Sequence, residues 1–140
     1  MISLDQARMM VEVARAKGRE MGLKPLSVVV LDAGGHVLAF EREDGASPGR
    51  FEIARGKAYG AVMLGMPGSA QMARAEAQAY FMAAVNGAYG GKVVPVPGGV
   101  LVKDAAGAVI GAVGVTGDTS DNDAVAAVAG IEAAGFEAVA

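Results

Sequence analysis

Leu31–Leu38 reads L-D-A-G-G-H-V-L, and Lys103–Ile110 repeats the outline as K-D-A-A-G-A-V-I. Each copy places a D-A-x-G turn between apolar runs rich in valine. This pattern is typical of a β-hairpin whose turn needs a glycine at positive φ. Two matched hairpins predict one antiparallel sheet. An alternative stays open, because hairpin turns draw on few residue types and unrelated turns converge on Asp and Gly for steric reasons.

The composition indicates a single domain with a substantial core. The chain has 140 residues, of which 53% are hydrophobic. No apolar run approaches the roughly 20 residues that a membrane span needs. The first residues lack the basic and apolar regions of a signal peptide, and the sequence contains no cysteine. We therefore expect one domain over residues 1–140, located in the cytoplasm and without a membrane partner.

The charge balance argues against nucleic acid as a partner. Twelve basic and fifteen acidic residues give a net charge of −3, and no basic run or stripe is present for phosphate contacts. Alanine and glycine are abundant and tryptophan is absent, so small side chains are expected at packing surfaces. Such a chain is expected to bury its remaining apolar surface between the subunits of a homo-oligomer.

Helical and extended patterns follow one another in the order α-β-β-α-α-β-β-β-α. The first helix begins at a capping box, Ser3-Leu4-Asp5-Gln6, and ends at Gly22. The later elements are expected as strands over 26–31 and 36–42, helices over 50–64 and 70–85, an extended edge over 93–97, a second hairpin over 100–115, and a last helix ending near residue 135. This order predicts an α+β fold with one antiparallel sheet of about five strands and helices packed on it.

The second predicted helix carries the strongest group of polar residues: Arg50, Glu52, Arg55 and Lys57. Lys57 lies at the edge of the predicted buried stripe, where its ammonium group can bind a propionate or another carboxylate. Lys57 and Arg50 are therefore candidates for holding an anionic small-molecule ligand, whereas Arg55 is expected on the surface. A solvated helix face with mixed charges is the alternative.

The only histidine, His36, follows the Gly-Gly turn of the first hairpin. Its neutral imidazole can ligate the iron of a haem, although a polar residue at a hairpin exit is the simpler explanation. The three tyrosines and eight methionines are other conceivable axial ligands. Methionine at helical spacing is more often part of a core.

Glycine-rich turns add two further candidates. Backbone N–H groups near Gly99, and near Thr116 if that turn starts the final helix, can bind an anion. A dinucleotide-binding loop is rejected, because Gly111 and Gly114 lie inside a predicted strand.

Three acidic residues, Asp118, Asp121 and Asp123, offer oxygen ligands for a hard cation. Negative charge in the first turn of a helix is also explained by the helix dipole. The sequence shows no paired-histidine metal site, cysteine nucleophile or Ser-His-Asp arrangement, so no metal ligand and no catalytic residue are assigned.

Three segments carry a resemblance to a known family. They are S-V-V-V-L-D-A-G-G-H-V-L-A-F-E-R-E-D-G-A (Ser27–Ala46), I-A-R-G-K-A (Ile53–Ala58), and Pro97–Ala124, which contains P-G-G-V-L-V, G-A-V-I-G-A-V-G-V-T-G and D-N-D. Together they resemble the GlcG/HbpS-type family, which includes the C-terminal domain of PduO-type proteins. The resemblance runs nearly end to end and implies a profilin-like fold, assembly as homo-oligomers and, for several members, haem binding. It implies the fold more firmly than an activity.

Two classes of function remain. The leading interpretation is a protein that binds a small molecule, haem or a related tetrapyrrole, near a subunit interface between the sheet and the second helix. The cofactor-binding candidates are then Lys57, Arg50, His36, Gly99 and Thr116. The alternative is a cofactor-independent enzyme acting on a small carboxylated or carbonyl metabolite, with Lys57 or an aspartate as the reactive polar group.

Overall fold

The computed structural model describes residues 1–140 and confirms the α+β class with a single five-stranded antiparallel sheet. The elements in chain order are α1 (Leu4–Glu20), β1 (Ser27–Asp32), β2 (Val37–Arg42), α2 (Arg50–Leu64), α3 (Gly68–Ala77), α4 (Ala79–Ala88), β3 (Gly99–Lys103), β4 (Val109–Thr116), α5 (Ser120–Ala133) and β5 (Glu137–Val139).

The sheet is built from the two predicted hairpins. Its strand order is β2-β1-β4-β3-β5, so β1 of the first hairpin pairs with β4 of the second at the centre. In that central pair Ser27 lies opposite Thr116, and Asp32 lies opposite Gly111. Each hairpin has a register shift beside its turn.

The two hairpin turns have the same hydrogen bonds. Oδ1 of Asp32 accepts the backbone N–H groups of Gly34 and His36, each at 2.9 Å. Oδ1 of Asp104 accepts the corresponding groups of Ala106 and Ala108, at 3.0 and 2.9 Å. The glycines that follow have φ values of 81° at Gly35 and 82° at Gly107, as the turn pattern predicts.

Helices cover both faces of the sheet. Helices α1 and α5 pack on one face, where Met10, Val11 and Ile131 meet the strand residues Val28 and Val113. The capping box of α1 is confirmed, since the Ser3 hydroxyl accepts the Gln6 N–H and the Gln6 side chain accepts the Ser3 N–H.

Helix α2 covers the other face at close range. Its small residues Ala54, Ala58 and Ala61 are fully buried against this face of the sheet. A Cβ atom added at Gly99 or Gly114 would collide with the α2 backbone. The space between α2 and the sheet is therefore filled by the protein itself.

Three details differ from the predicted order. The third helix is two helices, because Gln78 adopts φ −142° and ψ 69° between α3 and α4. The expected edge over 93–97 forms no strand, since Pro95 and Pro97 lack the N–H group that a sheet ladder requires. The fifth strand is β5 instead, which follows a turn at Gly135 (φ 89°) and pairs with β3.

Candidate functional site

The predicted site residues lie at opposite ends of the sheet. Thr116 is the last residue of β4 and marks one end of the sheet. Asp32 of β1 pairs with Gly111 of β4 towards the other end, and it accepts a hydrogen bond from the His36 backbone N–H. From Gly111 to Thr116 the strand advances by five residue steps, which corresponds to roughly 17 Å. Lys57, Arg50 and Gly99 lie near the Thr116 end, whereas His36 lies at the other.

Lys57 is buried and bound to other groups of the protein. Its side chain is 3% exposed, and its Nζ atom donates to the Val115 carbonyl at 3.0 Å and to Asp123 Oδ2 at 3.1 Å. The second oxygen of Asp123 accepts the Asp118 backbone N–H at 3.0 Å. The carboxylate that the sequence predicts for Lys57 is therefore supplied by Asp123, within the chain.

Burial acts on both members of this pair. Desolvation lowers the pKa of the Lys57 ammonium group, and the attraction of Asp123 opposes that shift. Desolvation likewise raises the pKa of the Asp123 carboxyl, against the attraction of Lys57. Each charge is held by two hydrogen bonds, which is the condition under which a buried ion pair is tolerated.

Arg50 and Thr116 lie at the same end of the sheet as Lys57 and are hydrogen-bonded to each other. Arg50 Nη1 donates to Thr116 Oγ1 at 2.9 Å, and its Nε donates to Ser47 Oγ at 3.2 Å. Gly99 lies directly against the Lys57 carbonyl group. The structure thus brings Lys57, Arg50, Thr116 and Gly99 together, and they contact one another or the backbone.

Asp118 connects the loop before β1 to the start of α5 through hydrogen bonds. Its carboxylate accepts the Lys24 N–H at 3.0 Å, and the Thr119 N–H and the Asn122 side chain at 2.9 Å. The hydrogen bond from Asn122 is the largest cause that lowers the pKa of Asp118 to about 2, and the bonds from Lys24 and Thr119 add to it. Thr119 caps α5 by accepting the Asn122 N–H.

His36 is exposed at the other end of the sheet. Its side chain is 81% exposed, and Nδ1 lies 3.2 Å from Asp32 Oδ1. The hydrogen bond from the His36 backbone N–H is the largest cause that lowers the pKa of Asp32. Asp32 therefore stays ionised beside Nδ1, and Nε2 remains for a ligand.

A wide, open cavity lies next to His36. Its volume is about 540 Å³, and its lining combines Asp32 and His36 with the apolar residues Met1, Ile2, Leu38 and Ile110. Sequence reasoning singled out His36 but missed this apolar lining. The residues come from the N-terminus, the β1–β2 hairpin and β4, so their proximity depends on tertiary packing that no local sequence pattern indicates.

None of the chain's five cavities is lined by both α2 and a strand of the sheet. The predicted ligand position between the sheet and the second helix is therefore closed within a single chain. Its closure follows from the glycines and alanines at that contact, which let the helix backbone meet the strands.

These observations define a single-sheet α+β protein of the profilin-like class. The chain belongs to the HbpS-like family, since the model of that family, described as haem degrading protein HbpS-like, matches residues 2–132.

Solved structures show the same fold. The crystal structure of HbpS is 29% identical with a TM-score of 0.80, over 94% of this chain and 88% of that chain. The Klebsiella pneumoniae protein ORFY is 25% identical with a TM-score of 0.83, over 95% and 90%. The PduOC:haem complex has a TM-score of 0.86 over 99% and 98%, and its 22% identity shows the fold alone. No curated protein sequence matches the chain significantly. None of its helices combines the length and apolarity of a membrane span.

Proposed function

We propose that this protein binds haem in the cavity beside His36, with the imidazole Nε2 as an axial ligand of the iron. The observation that carries the proposal is the position of the only histidine of the chain on the rim of its largest apolar cavity. The description of the matching family, haem degrading protein HbpS-like, supports the choice of ligand.

The residues present fit a haem group. The cavity volume of about 540 Å³ lies in the range of roughly 300–1,000 Å³ that small-molecule and cofactor sites occupy. Met1, Ile2, Leu38 and Ile110 offer the apolar contacts that a porphyrin face needs. A histidine nitrogen is a common axial ligand of haem iron.

Asp32 has a positioning role in this proposal. Metal-binding histidines usually present their other nitrogen to a carboxylate, which fixes the ring and raises its basicity. Asp32 Oδ1 lies 3.2 Å from Nδ1, and the Gly34 and His36 N–H groups fix that oxygen. Bound haem would supply a redox-active iron, and the chain's own residues would orient the imidazole and shield one face of the ring.

The chain's self-association belongs to the same proposal. The cavity is open to solvent, and large apolar side chains are exposed elsewhere on the surface, including Met9, Tyr80 and Val125. A second subunit that covers the cavity would exclude water from the haem. The ligand would then lie at a subunit interface.

Haem titration of the purified protein, followed by the Soret band, tests the proposal. Wild-type protein should give a saturable band. Leu38→Glu, which puts a carboxylate in the apolar lining, should weaken binding at least about tenfold, because burying an unpaired charge is costly. Ala73→Glu introduces the same charge at an exposed residue outside the lining and should bind as wild type does. Equal affinities for wild type and Leu38→Glu would refute the cavity assignment.

A further inference from the structure

A second cavity, of about 220 Å³, lies between α2 and the loop that precedes β3. Its polar lining consists of Glu52, Arg55 and Lys92, and the rest includes Ile53, Gly56 and Val94. It shares no residue with the cavity beside His36.

The loop that forms one wall is fixed in place. The Val94 N–H donates to the Gly56 carbonyl at 3.2 Å, and the Val93 N–H donates to Asn86 Oδ1 at 2.9 Å. Gly56 permits this approach, because a Cβ atom there would lie 2.5 Å from Val94 Cγ2 and 2.8 Å from the Lys92 carbonyl oxygen. The cavity is therefore a built feature of the fold.

Arg55 has no partner in this cavity. Its side chain is half-buried, its Nε atom is sealed from solvent, and none of its five donors makes a hydrogen bond within the protein. No carboxylate lies within 4.0 Å of it, although Glu52 is only three residues away on the same helix. Buried polar groups are nearly always paired, so a buried N–H without a protein partner needs one from outside the chain, which a ligand, an ion or water can supply.

The charges of the lining indicate the ligand's class. Arg55 and Lys92 carry two positive charges and Glu52 one negative charge, so the cavity favours a monoanion over a dianion. The guanidinium edge forms paired hydrogen bonds with a planar carboxylate. Ile53 and Val94 add apolar surface for a short carbon chain.

We propose that this cavity binds a small monocarboxylate, whose oxygens accept hydrogen bonds from Arg55 and whose charge is also balanced by Lys92. This site is independent of haem binding. The ligand completes the hydrogen bonding of a guanidinium that the folded chain leaves unsatisfied.

Butyrate titration of the haem-free protein tests this site, with ionic strength held constant and amide NMR shifts as the signal. We expect saturable shifts at Gly56, Gly91 and Lys92. Arg55→Gln should weaken binding at least about tenfold, because it removes charged hydrogen bonds. Arg8→Gln, a change at an exposed arginine that makes no ion pair and does not line the cavity, should leave the affinity unchanged.

Several outcomes would overturn the proposal. They are shifts that do not saturate by about 100 mM butyrate, equal affinity in Arg55→Gln, and shifts that map elsewhere. Phosphate at the same pH is the comparison anion, and tighter phosphate binding would overturn the monocarboxylate assignment. Lys92→Gln, at an exposed residue, gives a second test should Arg55→Gln fail to fold, and it should also weaken butyrate binding.

Discussion

Lys57 Nζ lies 3.1 Å from Asp123 Oδ2, and the two side chains are 3% and 1% exposed. Lys57 belongs to α2 and Asp123 to α5, which cover opposite faces of the sheet. The ion pair therefore joins the two layers of helices around the end of β4, where Lys57 also binds the Val115 carbonyl.

Lys57→Met should destabilise the fold by about 3–5 kcal/mol, because it leaves the Asp123 carboxylate buried without its cation. The double variant Lys57→Met/Asp123→Leu should recover much of that loss, since no unpaired charge remains. It still gives up the hydrogen bond from the Asp118 N–H, worth about 1 kcal/mol. Urea unfolding gives the free energy of unfolding of the wild type, the single variant and the double variant.

Lys17→Met is the matched control, because Lys17 pairs with Glu20 at 3.4 Å on the surface. Its effect should stay within about 1 kcal/mol. If Lys57→Met were no more harmful than Lys17→Met, the ion pair would have no structural role.

Gly107→Ala should destabilise the protein by about 1–2 kcal/mol, through the positive φ alone, since a Cβ atom there meets no other group. Gly35→Ala should cost at least as much, because its Cβ would also lie 2.8 Å from Met63 Cε. Gly87→Ala, in the open surface of α4, should instead be neutral or stabilising by up to about 1 kcal/mol. If Gly107→Ala and Gly87→Ala had the same thermal midpoint, the assignment of Gly107 to a turn at positive φ would be contradicted.

Acid should weaken the attachment of the Lys24 loop to α5. The pKa of Asp118 is about 2 in the folded protein, below the value of about 3.9 for an unfolded aspartate. The stabilisation it gives is present above the unfolded pKa and is lost as the pH falls through the folded one. Between about pH 4 and pH 2, the urea midpoint of Asp118→Asn should therefore fall less steeply than that of wild type. Parallel curves would show that the Asp118 carboxylate adds nothing to stability.

Sedimentation at micromolar concentration should give a species larger than the 14.0 kDa chain. The physical reason is the apolar surface that the single chain leaves in water, which includes Met9, Tyr80 and Val125 at 46%, 74% and 44% exposure. A single species at the mass of one chain would contradict self-association and the covered cavity that we propose.

Local rules predicted much of the fold. The hairpin turns at Asp32 and Asp104 and the capping box at Ser3 depend on neighbouring residues, so the sequence pattern was sufficient. The strand β5 was missed because it has three residues and exists through its pairing with β3. The break at Gln78 was missed because neither proline nor glycine marks it.

The candidate site was predicted less well, for a physical reason. The notable residues Lys57, Arg50, Gly99 and Thr116 do lie together, but the partner of Lys57 is Asp123, 66 positions away along the chain. The dipole of the last helix was enough to explain an acidic residue at position 123, so the sequence indicated no cationic partner for Asp123. The half-buried state of Arg55 likewise depends on a loop more than thirty residues further on, which periodicity within α2 does not reveal.

Imidazole rescue tests most directly whether His36 ligates haem iron. His36→Ala should lose the Soret spectrum of the wild-type complex, because no other side chain that lines the cavity carries a nitrogen ligand. Added imidazole should restore that spectrum, since it can occupy the place of the missing side chain. Loss of the spectrum without imidazole and its return with imidazole are expected together. A His36→Ala protein whose haem spectrum and affinity equal those of wild type without imidazole would contradict it.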